Sequence, residues 1–183
     1  MKILDTNLQG LFVIEPHVFY DERGYFYESF NSLKFRNKFP DVDFVQDNES
    51  ESQFGVFRGM HFQSPPFEQT KLVRVVKGEV LDIVIDIRKN SPSYGKYFSL
   101  ILSEKNKKQL LIPKGFAHGF LVLSKSAIFF YKVDNYYSKK HDSGIHWNIV
   151  EDDIKKYFDI EKLIISTKDN VLINFSSFKT PFS

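Results

Sequence analysis

No cysteine occurs in the 183 residues. That excludes disulfides, thiolate nucleophiles, thiolate zinc sites and iron–sulfur clusters. Excess charge of either sign is also missing, with 25 Lys and Arg set against 23 Asp and Glu. A dedicated nucleic-acid binder would show a clear basic excess, so no nucleic-acid partner is expected. No apolar run approaches the roughly 20 residues of a membrane helix, so no membrane association is expected either. The opening segment MKILDTNLQG lacks the long apolar stretch of a secretory signal, which points to the cytoplasm. Internal repeats and low-complexity tracts are absent. One domain over residues 1–183 is expected, with terminal extensions around a central core.

What is plentiful is aromatic: 20 Phe and 9 Tyr. Aromatic residues favour strands and large interfaces. The sequence reads as mainly β. Leu81, Ile83, Ile85 and Ile87 alternate with Asp82, Val84, Asp86 and Arg88, giving one apolar face and one mixed face. Lys71 to Val76 reads as a second strand, joined to the first by a hairpin turn at Lys77-Gly78. Further strand-like runs are Leu11–Ile14, Phe54–Phe57, Tyr97–Leu102, Gln109–Ile112, Gly119–Leu123 and Ala127–Val133. Many short strands between turn signals imply a sandwich or barrel. Two short helices are expected: one capped by Ser32 and stopped by Pro40, the other over residues 151–158.

Two of the five histidines have unusual neighbours. His61 lies in Arg58-Gly59-Met60-His61-Phe62-Gln63, and His118 in Pro113-Lys114-Gly115-Phe116-Ala117-His118. The second string resembles a motif of the cupin superfamily, whose jelly-roll barrels often hold a metal. The matching first motif would need a second His at Gln63 and a carboxylate on the same strand; Glu68 instead lies in a Pro-containing loop. Two His without a positioned carboxylate make a poor divalent site. Acid–base chemistry without metal is the other reading. Arg23, Arg58 and Lys71 would form an anion site if they converge, and are solvated surface charges if they do not. Tyr131 shares a strand face with Phe129 and Val133, which suits a core tyrosine or a buried proton donor. An exposed Tyr137 could stack on a base ring.

Taken in order, the strings DERGYFYESF (21–30), FVQDNES (44–50), FGVFRGMHFQSPPFEQTKLVRVVKGEV (54–80), DIRKNSPSYGKY (86–97), IPKGFAHGF (112–120), YKVDNYYSKKHDSGIHWN (131–148) and STKD (166–169) resemble the dTDP-4-dehydrorhamnose 3,5-epimerase family. The resemblance implies a cupin-type jelly-roll β-barrel or sandwich with a few short helices. It also implies a homodimer to which the N-terminal strands contribute, and no metal or other cofactor. The implied substrate is a nucleotide-linked 4-keto-6-deoxyhexose, epimerised at C3 and C5 through an enolate. His61 matches the base, Asp169 the carboxylate that orients it, Tyr131 the proton donor and Lys71 the cation near the ketone oxygen. Arg23 and Arg58 match diphosphate contacts. Phe26, Glu28, Gln46, Asn48, His118, Tyr137, Asp142 and Lys168 match further substrate-binding positions. The chain departs from the family pattern at Asp142, at Ile149-Val150 and at Tyr157-Phe158. Neighbouring activities share the same acid–base pair: epimerases of one carbon, or of GDP- or UDP-linked sugars. A 3,4-ketoisomerase and a non-catalytic sugar-nucleotide or metal-binding cupin are the more distant alternatives.

Overall fold

The computed structural model describes residues 1–183. In chain order the elements are β1 (Lys2–Asp5), β2 (Phe12–Glu15), β3 (Phe19–Asp21), β4 (Gly24–Phe26), α1 (Ser32–Arg36), β5 (Gln46–Gln53), β6 (Val56–Gln63), β7 (Lys71–Lys77) and β8 (Glu79–Asp86). They continue with β9 (Tyr97–Ser103), β10 (Gln109–Ile112), β11 (Phe116–Val122), β12 (Ser126–Val133), β13 (Asp142–Gly144), α2 (Glu151–Ile154), β14 (Ile164–Ile165) and α3 (Thr167–Asn170). One sheet runs β1-β2-β10-β7-β12-β5. A second runs β13-β6-β11-β8-β9, with β14 added parallel to β6. A small β3–β4 hairpin stands apart from both. The expected mainly β, jelly-roll-like architecture is observed.

Three apolar clusters account for the layering. Val73, Val75, Leu110 and Phe129 of the first sheet meet Val80, Val84, Phe116 and Phe120 of the second in the space between the sheets. The outer face of the second sheet, with Leu81, Ile83, Ile85 and Ile87, is covered by C-terminal residues that include Ile145, Val150 and Ile154. The outer face of the first sheet packs Ile14, Leu72 and Leu111 against Phe35 of α1. Both faces of β8 are therefore covered, and its mixed face, with Asp82 and Asp86, points into the interior.

Several local expectations need correcting. Lys77-Gly78 is not a hairpin turn: β7 pairs with β10 and β12, whereas β8 pairs with β9 and β11, so the chain crosses between sheets there. Phe54–Phe57 is not one strand, because Phe54-Gly55 forms the crossing between β5 and β6. The strand β5 itself, QDNESESQ, was not expected. Its inward residues are polar because they face a cleft, so it carries no apolar alternation. The cap of α1 is Asn31, whose side chain accepts from the Lys34 N–H, and the helix ends at Arg36. Regular helix within residues 151–158 is confined to α2, followed by single turns.

One irregularity positions the functional residues. Strict alternation along β6 would send Arg58 and His61 to opposite faces. Instead, Phe57, Met60 and Phe62 pack behind the second sheet, while Arg58 and His61 both face the cleft. The β6–β11 register shifts between His118 and Phe120, opposite Gly59, whose φ is +143°. The two strands touch here at glycine. A Cβ on Gly119 would lie 2.8 Å from both the Arg58 carbonyl oxygen and Met60 Sδ, and 3.0 Å from Gly59 Cα. Gly119→Ala is therefore expected to force the strands apart and destabilise the fold by about 1–3 kcal/mol. A lowered urea midpoint is the readout, and an unchanged midpoint would contradict this packing.

Candidate active site

A cleft of about 650 Å³ opens between the sheets, within the size range of small-molecule sites. Its walls include Arg58 and His61 from β6, Lys71 at the start of β7, His118 from β11 and Tyr131 from β12. Asn48 comes from β5, and Lys168 and Asp169 from α3. The residues thus come from five strands and one short helix, and the crossings between sheets bring them together.

At the centre, His61 Nε2 lies 2.6 Å from Asp169 Oδ1. Asp169 is buried, and burial raises the pKa of a carboxyl group. The hydrogen bond and charge of the His61 ring, with the Gly59 N–H at 3.4 Å, outweigh that and hold it below the usual carboxylate value. An ionised Asp169 only accepts, so Nε2 carries a hydrogen, and the neutral form of the ring then has its lone pair on Nδ1. This is the arrangement a histidine base needs. The carboxylate is held in turn by its own turn of helix: the Ser166 hydroxyl accepts from the Asp169 N–H at 3.1 Å and caps α3.

Lys71 and Tyr131 complete the proton-handling set. Burial pushes the Lys71 ammonium down to about 8, against the opposing pull of Asp142 and Asp82. It is charged at neutral pH and sits in a low-dielectric setting, where a cation stabilises a developing oxyanion strongly. Burial pushes the Tyr131 phenol up and the charge of Asp142 adds to this, with Arg58 opposing. Tyr131 is therefore a neutral O–H donor across the working range.

Other residues orient the cleft. The Arg58 Nε donates to the Ser52 hydroxyl at 2.9 Å. His118 Nε2 lies 2.9 Å from Asp82 Oδ2, and Asp82 Oδ1 is buried without a partner. At the mouth, Asp142 Oδ2 accepts from Lys168 Nζ at 2.6 Å and from the Tyr137 hydroxyl at 3.1 Å. Gln46 stands behind the wall, donating to Asn48 Oδ1 at 2.9 Å and accepting from the Tyr137 N–H at 3.2 Å. Both cleft histidines direct Nε2 at a carboxylate, and no group of three or more His, Asp or Glu converges as a metal would require.

Ten of the fourteen residues singled out in the sequence gather at this cleft or its mouth. Of the three cations considered for an anion site, Arg58 and Lys71 converge. Arg23 does not: it sits at the exposed tip of the β3–β4 hairpin, paired with Asp21. Phe26 is exposed on β4, and Glu28 bonds Asn31 and Lys34 beside α1. Gln46 acts through its neighbours. Sequence reasoning missed Asp82, Ser52 and Ser166. A carboxylate among the valines of the inward face of β8, where Asp86 also lies, was the one signal available for Asp82.

Comparison with known proteins points to a single family. A family model described as dTDP-4-dehydrorhamnose 3,5-epimerase matches residues 5–177. A dTDP-4-dehydrorhamnose 3,5-epimerase of Shigella flexneri is 48% identical over 170 residues, covering 92% of this chain and 93% of that one. The crystal structure of the enzyme of that name from Elizabethkingia anophelis NUHP1 superposes with a TM-score of 0.89 at 43% identity, over 96% and 97% of the two chains. The dTDP-6-deoxy-D-glucose-3,5-epimerase of Legionella pneumophila Philadelphia 1, solved in complex with dTDP-4-keto-L-rhamnose, gives 0.87 at 42% identity, over 97% and 94%.

Because Asp169 is held below its ordinary value of 3.8, its contribution to stability is complete above that value. It is lost as pH falls through the lower folded value. Asp169→Asn is expected to cost roughly 1–3 kcal/mol at neutral pH. The gap to wild type should close as urea unfolding is repeated from about pH 7 down to about pH 3. A gap independent of pH would mean that folding leaves the pKa of the carboxyl group unmoved.

Proposed function

The chain belongs to the dTDP-4-dehydrorhamnose 3,5-epimerase family, and on that premise we propose how it epimerises C3 and C5 of a dTDP-linked 4-keto-6-deoxyhexose. The ketone at C4 acidifies the hydrogens on both neighbouring carbons. His61 Nδ1 takes one of them; the C–H electron pair becomes the enolate double bond, and the carbonyl π pair moves onto oxygen. Lys71 stabilises that oxygen. Tyr131 then delivers its proton to the opposite face of the same carbon, the carbonyl re-forms, and the tyrosinate regains a proton from the solvent pool. His61 discharges its proton likewise before the second carbon reacts. No oxidation state changes, so this route calls for no redox group. The observation that supports it most directly is one cleft containing an Asp169-oriented histidine, a neutral, partly buried tyrosine and a partly buried lysine.

Binding roles follow the same reading. Arg58 contacts the diphosphate, where its guanidinium gives strong charge-assisted bonds. His118 and Asn48 contact the substrate inside the cleft. Tyr137 stacks on the thymine at the mouth, beside Asp142 and Lys168. The diphosphate keeps such a substrate from crossing a bilayer unaided, and the cytoplasm is the compartment this reading assigns.

The same reading extends to a homodimer. The β3–β4 hairpin projects Phe19, Tyr20, Tyr25 and Phe26, each more than half exposed. Aromatic residues in that state suit a protein interface. Arg23 and Phe26 on the hairpin, with Glu28 just beyond it, would then serve the cleft of the second copy.

Two experiments test these assignments. In deuterated water, wild type is expected to exchange both the C3 and C5 hydrogens of the dTDP-linked 4-keto sugar. His61→Asn should slow exchange at least about 10²-fold. Tyr131→Phe should reduce net inversion more than hydrogen abstraction. Exchange at one carbon only would narrow the activity, and full exchange by the His61 variant would remove it as base. For the dimer, Arg23→Ala and His61→Asn chains are each expected to be impaired. Statistical mixing should restore about a quarter of wild-type activity, because a mixed pair holds one complete site. Mixing without recovery would show that the hairpin does not act across subunits.

A further inference from the structure

Beyond Ser177, where the family match ends, the chain continues as an extended strap. Phe178, Thr180 and Phe182 turn inward, whereas Lys179, Pro181 and Ser183 are exposed. The two inward rings meet one target. Phe178 and Phe182 pack edge-on against Phe62, with ring centroids 5.6 and 5.9 Å away. Phe62 follows His61 on β6, so the ring behind the strand belongs to the neighbour of the residue that faces the cleft. The strap is pinned as well as packed. The Thr180 hydroxyl donates to the Ile87 carbonyl, and the Lys89 N–H donates to the Phe182 carbonyl at 3.2 Å.

The other half of the dyad is tied to the same segment. Upstream of α3, β14 pairs with β6 at Val56 and Phe57. Downstream, Ile173 bridges to Ile145, and its carbonyl accepts from the His146 N–H at 2.9 Å. Between them, Leu172 closes on Gly144, the β13 residue opposite His61: a Cβ at Gly144 would lie 2.8 Å from Leu172 Cδ1 and 3.3 Å from His61 Cδ2. The segment that carries Asp169 thus runs directly into the strap behind His61.

The β6–β11 register slips just before His61, between the Arg58–Phe120 and His61–His118 pairs, and His61 itself lies between His118 of β11 and Gly144 of β13. What packs behind the strand then has leverage on the 2.6 Å contact in front of it. We propose that the strap, acting through Phe62, holds His61 in register with Asp169, making Phe178 and Phe182 positioning residues for the proton transfer. This rests on the role of His61 as base given above.

The test uses full-length Phe178→Ala/Phe182→Ala, with Phe178→Leu as a milder variant and Lys179→Ala, which alters only the outer face, as control. Proton NMR of wild type should show a low-field ring N–H signal from the short His61–Asp169 hydrogen bond, assigned by its loss in Asp169→Asn. The double variant is expected to shift or broaden that signal and to lower kcat about tenfold or more, since small misplacements of reacting groups are costly. KM for the nucleotide sugar should stay within about twofold, because neither Phe178 nor Phe182 lines the cleft. Phe178→Leu should show a smaller change in the same two readouts, and remains decisive if the double variant does not fold. A folded variant with wild-type kcat and an unmoved signal would overturn the proposal. If wild type catalyses no exchange, the epimerase reading fails, and the signal alone still decides whether the strap sets the dyad.

Discussion

The site depends on one hydrogen bond between residues 108 positions apart, from the His61 ring to the Asp169 carboxylate. Neither partner is placed by its own segment alone. His61 faces the cleft because β6 breaks its alternation where two glycines let strands approach closely. Asp169 faces it because a single capped turn of helix is held between two short parallel contacts to the second sheet. A charge-assisted bond at this distance is strong only when both carriers are rigid and water is largely kept out. Much of the surrounding packing, from the inter-sheet core to the C-terminal cover, serves that requirement.

Electrostatics divide the labour inside the cleft. Burial acts on Asp169, Lys71 and Tyr131 alike, opposing the charged form of each. The outcomes differ because their neighbours differ. Asp169 has a histidine ring and a backbone N–H and stays charged. Lys71 has two carboxylates in reach and keeps its proton at neutral pH, though less firmly than in water. Tyr131 has a nearby carboxylate and stays neutral. One environment therefore holds an anion, a cation and an uncharged acid together, and their combined charge stays low enough to leave the cleft compatible with the apolar core beside it.

Much of this was legible in the sequence, for identifiable reasons. The period-two pattern of β8 gave its two faces correctly because both faces are filled by the same fold. The strands β7, β9, β10 and β12 are apolar and bounded by clear turn residues. What alternation could not reveal was connectivity: Lys77-Gly78 has the composition of a hairpin turn and serves as a crossing, a difference set by partners far along the chain. Nor could it reveal β5, whose inward residues face solvent-filled space. The gathering of His61, Lys71, Tyr131 and Asp169 was legible only through resemblance, since nothing local in STKD says that its aspartate meets a histidine on a distant strand. The separation of Arg23, Phe26 and Glu28 from the cleft was invisible for a related reason: a motif names a residue without saying where the fold places it.

The polar strand β5 has a second effect, on colloidal behaviour. It ends its sheet, so one row of its backbone amides and carbonyls has no neighbouring strand. An open edge of this kind templates the stacking of further chains. Here the outward positions of β5 are Asp47, Glu49 and Glu51, all exposed. A second β5 docking alongside would bring carboxylates against carboxylates, which opposes fibre-like growth from that side. Glu51 neither pairs with Lys132, as Asp47 does, nor lines the cleft, as Glu49 does, so neutralising it alone would weaken the edge's protection against runaway polymerisation while leaving the interior in place.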